Sequence, residues 1–197
     1  MTQVLDPYLD PAIGDLRNLL GATSTDNLRA LEPQAVFANE IELASQHIKR
    51  TNDLTELCAL HAQLFKGVYD WAGQIRIVDI RKNSPGADFF LPVGYIANAA
   101  GFVFEELHQE HDLCGLDRET FARRLAYFYD QLNYIHPFRE GNGRTQRVFC
   151  SRVAADAGYQ IAWEDVVGDE NDRACRLAAE NDDRGPLEAM FARIVGQ

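Results

Sequence analysis

Apolar positions recur at helical intervals through most of the chain. Across 54–69, Leu57, Leu60, Leu64 and Val68 fall three and four residues apart, the spacing that gathers side chains on one face of a helix. Across 117–134, Phe121, Leu125, Phe128 and Leu132 repeat in the same way and predict a core-facing stripe rather than a ligand site. Helices are also expected at 96–108, 144–157, 170–182 and 186–195. The amino-terminal part carries helical patches, one at Leu16, Leu19 and Leu20 and another from Val36 and Phe37 through Ile41 and Leu43 to Ile48. One stretch has a different period. Residues 74–81 alternate apolar and polar, Asn83-Ser84-Pro85-Gly86 is turn chemistry, and Phe89-Phe90-Leu91-Pro92-Val93 follows. This predicts a β-hairpin with strands at 75–81 and 88–92. With no repeat, low-complexity segment or linker, the expectation is one mostly α domain over 1–197, with its core at 54–165 and a single inserted hairpin.

Composition narrows the function classes. A formal charge of −11 opposes general nucleic-acid binding, which needs an excess of Lys and Arg against phosphate. There is no apolar run long enough to span a membrane and no secretory leader pattern at the start. The cysteines Cys58, Cys114, Cys150 and Cys175 are widely spaced, suiting neither a zinc site nor a disulfide framework, so a reducing, cytoplasmic setting is expected. Charge is nevertheless uneven. Arg139, Arg144, Arg147 and Arg152 face one acid, Glu140, which suggests a small polyanionic ligand.

The chemistry concentrates between His136 and Arg147. Pro137 disfavours helix at the residue before it, so the preceding helix should end near Ile135 and present His136 at its mouth. An imidazole, with an unperturbed pKa of about 6.5, accepts a proton near neutrality without tuning. Gly141-Asn142-Gly143 permits positive φ and an inward-facing set of amides, and a helix starting near Arg144 aims its amino-terminal dipole at the same point. Arg144 and Arg147, three residues apart, could grip one phosphate chain. Glu140 could pair with one of those arginines or hold a hard cation beside phosphate oxygens. No Lys-Ser/Thr follows the glycines, so this is not a Walker loop.

Read whole, the string His136-Pro-Phe-Arg-Glu-Gly-Asn-Gly-Arg-Thr-Gln-Arg147 resembles the Fic signature, H-x-F-x-(D/E)-G-N-G-R-x-x-R, at every specified position. Asp79-Ile80-x-Lys82 resembles the family's flap, and Asp6-Pro7-Tyr8 and Ala157-Gly158-Tyr159 also resemble bacterial Fic proteins. The resemblance implies a Fic-type helical bundle that transfers AMP from ATP to a Tyr, Thr or Ser hydroxyl of a protein. By that carry-over His136 is the base, Glu140 holds Mg2+, Gly141, Asn142 and Gly143 cradle phosphates, Arg144 and Arg147 bind the distal phosphates, and Lys82 and Asn83 of the flap lie near nucleotide or target. Gly143 stands where a kinase-like branch has Lys, and Gly141 where phosphocholine-transferring relatives have Ala. A Fic-type transferase of another phosphate-containing group and a non-catalytic nucleotide-binding module are the alternatives.

The resemblance also bears on regulation. Many Fic proteins carry an inhibitory helix of pattern (S/T)-x-x-x-E-(G/N), and no Ser or Thr here has Glu four residues later. The implied restraint is a small antitoxin-like protein whose glutamate pairs with Arg147. In the toxin-like bacterial group the resemblance points to type II topoisomerases as targets; a host-directed effector is a related expectation.

Overall fold

A computed structural model describes residues 6–81 and 90–197, and the flap residues Lys82 and Asn83 lie outside that range. A short antiparallel pair, β1 (Leu9–Asp10) and β2 (Asp15–Leu16), opens the described chain. Seven helices follow: α1 (Thr25–Leu43), α2 (Leu54–Leu64), α3 (Ile96–Gln109), α4 (Arg118–Ile135), α5 (Asn142–Asp156), α6 (Glu170–Asn181) and α7 (Gly185–Ile194). A second pair joins β3 (Gln160–Ile161) to β4 (Val195–Gly196). The expectation of a mostly helical bundle therefore holds.

Helix α4 is the axis, packed by α3, α5, α6 and α7, while α2 lies on α5 and α1 on α2. Its stripe Phe121, Leu125, Phe128 and Leu132 is buried as the spacing requires. Side-chain caps set the starts: Ser24 accepts from the Asn27 amide, Asp53 from Glu56 and Asp117 from Thr120. Glu56 also works in reverse, its Oε2 accepting the Thr51 and Asn52 amides, while its Oε1 pairs with Arg152 on α5. This carboxylate, buried and fully bonded, fastens α2 to α5.

Three local expectations change. Leu16, Leu19 and Leu20 form no helix: Leu16 is buried in β2 and Leu19 is exposed, and the stretch is bracketed by Gly14 (φ 69) and Gly21 (φ 72), whose left-handed backbone does not continue a helix. Helix α1 begins eleven residues before Val36, runs through Pro33 and stops at Leu43, short of Ile48, and it leaves Phe37 and Ile41 exposed. Along 75–81, regular pairing among the described residues is reduced to a bridge at Arg81, with the Phe90 amide donating to the Ile80 carbonyl at 3.0 Å. A side chain supplies much of what a ladder would. Arg76, wholly buried, donates to the carbonyls of His136 (2.9 Å), Val78 (2.8 Å) and Leu91, and its own amide donates to Pro137. One guanidinium thus ties both arms of the hairpin base to the loop that follows α4.

Candidate active site

The α4–α5 junction is built by its own side chains. His136 takes a left-handed conformation (φ 47, ψ 62) as the α4 cap, its amide donating to Leu132. Asn142 then clamps the loop, Oδ1 accepting from the Phe138 amide and Nδ2 donating to the Phe138 carbonyl, both at 2.8 Å. Phe138 is buried and anchors the turn, as expected. Gly141 has φ +79, and a Cβ there would stand 2.1 Å from the Phe65 ring. The expectation of positive φ at both glycines is corrected at Gly143, which lies inside the first turn of α5.

A cavity of about 650 Å³ opens over this junction. His136, Glu140, Gly141, Asn142, Gly143 and Arg147 line one side, Tyr129 and Gln146 the floor, and Asn171, Cys175 and Arg176 of α6 the far wall. The first amides of α5 have no intrahelical carbonyl to serve, so the helix start presents donors and the positive end of its dipole here. Asn142 contributes to this cradle through its backbone, because its side chain is committed to Phe138.

His136 is oriented from two sides. Its Nδ1 lies 3.2 Å from the Asn133 carbonyl, an oxygen that can only accept, so the neutral ring carries its proton on Nδ1 and its lone pair on Nε2. Phe90 stacks on the ring at 3.7 Å between centroids and 9° between planes. Sequence reasoning missed Phe90; its only signal was a place on the return arm of the hairpin.

The two arginines part company. Arg144, expected on the phosphate chain, is absent from the cavity lining; it turns to α1, pairing with Glu32 at 2.7 Å and lying over Phe65. Position i, i+3 puts two Cα atoms on one face, but a long side chain follows its partner, and Glu32 comes from a remote helix. Arg147 lines the cavity and has no ion-pair or hydrogen-bond partner among the described residues. It also borders a second cavity of about 880 Å³, lined by His47, Arg50, Val148, Ser151 and Trp163 among others.

Glu140 makes the expected contact with one of the two arginines. Oε1 accepts from the Gly141 amide (2.9 Å) and from Arg144 (3.3 Å), leaving Oε2 without a protein partner among the described residues. No group of three His, Cys, Asp or Glu that could hold an ion alone exists among those residues. A single half-exposed carboxylate at the rim of an amide cradle instead fits Mg2+ shared with a triphosphate, an ion that keeps waters and is bound by one or two carboxylates plus phosphate oxygens.

His61 on α2 holds the backbone of Glu140 and was also missed. The Gly73 amide donates to its Nδ1 at 2.7 Å, so Nε2 carries the proton and donates to the Glu140 carbonyl at 3.0 Å. The ring lies between Phe65 and Phe138, with centroids at 4.6 and 3.9 Å. Burial, with a smaller push from Arg144, lowers its pKa from 6.5 to about 4 against the opposing bond to Glu140. Between those values the unfolded chain binds a proton that the folded protein refuses. His61 therefore costs stability as pH falls from 6.5 toward 4, by about 3 kcal/mol at the lower limit. Urea unfolding at pH 7, 5.5 and 4.5 should show this loss, and His61→Gln should flatten the slope.

Comparison with known proteins agrees with this geometry. The Fic/DOC family model matches residues 51–154. The chain is 36% identical to the probable protein adenylyltransferase Fic of Salmonella typhimurium over 194 residues, 98% of this chain and 93% of that protein. It is 39% identical over 169 residues to the protein adenylyltransferase VbhT of Bartonella schoenbuchensis, covering 86% of this chain but 35% of the longer relative. Among solved structures it resembles the Fic domain of the effector Bep8 from Bartonella sp. 1-1C (TM-score 0.87, 26% identity, 95% of this chain and 93% of that one). It also resembles BepC of Bartonella tribocorum, solved with AMPPNP bound (TM-score 0.87, 23% identity, 96% of each chain), a likeness of fold.

Proposed function

The chain belongs to the Fic/DOC family, and on that premise we propose that it is a protein adenylyltransferase that attaches AMP from ATP to a Tyr, Thr or Ser hydroxyl of another protein. The observation that carries the reading is that His136 lines the same cavity as the amino-terminal residues of α5, whose first amides have no intrahelical carbonyl to serve. His136 Nε2 takes the proton of the target hydroxyl. The hydroxyl oxygen bonds to the α-phosphorus as the bond from that phosphorus to the α–β bridging oxygen breaks. Pyrophosphate leaves, and the proton passes from His136 to solvent. The α5 amides and Arg147 hold the phosphates in line, so positioning and fixed charge do most of the work. Glu140 Oε2 would hold Mg2+, which supplies neutralisation of phosphate charge. The flap would register the target by main-chain pairing.

Labelled ATP with cell lysate tests the reaction. Label from the α-phosphate in a protein band is the expected result. Label from the γ-phosphate would mean phosphoryl transfer, and binding with no labelled band would mean a nucleotide-binding module.

Restraint in trans is part of the same proposal. Arg147 stands between the nucleotide cavity and the second, larger one, so a helix seated in the latter could bring a glutamate to it and displace the distal phosphate. Type II topoisomerases are the proposed target class. The purified chain should modify its target faster than the same chain co-expressed with the small protein encoded beside it; equal rates would remove the partner from the account.

A further inference from the structure

Glu32 lies on α1, outside residues 51–154 that the family model matches. Its carboxylate is largely shielded from solvent and accepts from the Arg144 guanidinium at 2.7 Å, with the Tyr69 hydroxyl at 3.5 Å from the same oxygen. The nitrogen of Arg144 that serves Glu32 is also the one 3.3 Å from Glu140 Oε1. Two carboxylates therefore share one cation, and the shorter contact belongs to Glu32. We propose that Glu32 is a positioning residue for the cation-binding carboxylate: by holding Arg144 it keeps Glu140 available to a divalent cation.

This inference rests on the proposed role of Glu140. With Glu32 in place, Arg144 is neutralised from the α1 side and only brushes Glu140. With that charge removed, a partly buried guanidinium would be left with Glu140 as its remaining carboxylate partner among the described residues, and the pair would tighten. Glu140 would then face a competitor for the ion, and the local potential would become more positive. Both changes oppose a cation. Neither opposes the triphosphate anion, which gives the proposal a signature that loose packing does not share.

The test compares wild type, Glu32→Gln and Glu32→Asp, with melting temperatures recorded for each. Mn2+ binding to the protein–ATP complex is followed by the spin-resonance signal of the free ion, and ATP binding in chelator by calorimetry. Glu32→Gln should weaken Mn2+ binding by about tenfold, the usual scale for loss of a group that orients a metal ligand. Metal-free ATP affinity should stay the same or rise, and Glu32→Asp, which keeps the charge, should weaken Mn2+ binding less. Unchanged Mn2+ binding in Glu32→Gln would overturn the proposal. So would tighter Mn2+ binding, a parallel fall in both affinities, or equal effects of Gln and Asp. A wild-type protein that binds Mn2+ and ATP yet labels no target would sink the transferase reading while leaving this one to be judged on binding alone.

Discussion

His136→Ala is expected to lower AMP transfer by about 10²–10⁴-fold, the usual contribution of a positioned general base, while ATP affinity stays nearly intact. The asymmetry follows from what the ring touches. Its Nδ1 bonds the Asn133 carbonyl and its face stacks on Phe90, so Nε2 is the nitrogen proposed to take the target's proton. The cradle proposed for the triphosphate is a separate structure, made by the first amides of α5 and by Arg147 one turn further on. Folding should also survive. The left-handed backbone at position 136 (φ 47) is already held by a residue with a Cβ, so Ala can occupy it at a modest added cost. Transfer rates from α-labelled ATP and calorimetric ATP affinities, measured on one preparation, check both halves. Full activity in His136→Ala would remove it as the base. A large fall in ATP affinity would mean that the ring seats the nucleotide.

The comparable change at Arg147 should invert this pattern, with nucleotide binding weakened first, since it lines the cavity and has no ion-pair partner among the described residues. Arg144 shows why the sequence could not separate the two arginines. Both sit in one helix at matching spacing, and only the arrival of α1 with Glu32 decides that one faces away. Periodic features were legible for a related reason. The stripe of α4 follows from the 3.6-residue repeat alone, and the helix end before Pro137 follows from sterics at the preceding residue. What stayed hidden depends on contacts between segments far apart in the chain. Arg76 reads as one polar residue in an alternating run, yet it is buried because three separate segments offer it carbonyls. His61 reads as a polar interruption on a helix, yet its two nitrogens bond Gly73 and Glu140 from opposite sides. Neither arrangement has a period to betray it.

The glycines of the signature should respond to alanine in opposite ways, and Gly141→Ala should be the most destabilising single methyl in the site. At φ +79 an L-residue costs about 1–3 kcal/mol. The added Cβ would also lie 2.1 Å from Cζ and 2.3 Å from Cε2 of Phe65. That ring cannot give way easily: it has no solvent exposure, stacks on His61 and Tyr69, and carries the Arg144 guanidinium on its face. Overpacking of this kind adds about 1–3 kcal/mol, for a combined loss of about 2–6 kcal/mol, readable by urea unfolding. Phe65→Leu placed in the same chain should recover part of the steric share and none of the backbone share, so the double variant should be more stable than the two single losses added together. Strict additivity would show that the ring is not the obstacle. Gly143→Ala should behave otherwise. Its backbone is helical, the nearest heavy atom to a Cβ is Arg147 Nη1 at 3.9 Å, and stability should stay within about 1 kcal/mol of wild type. Transfer should nevertheless fall, because that methyl would project beside Arg147 where the phosphates are expected to lie.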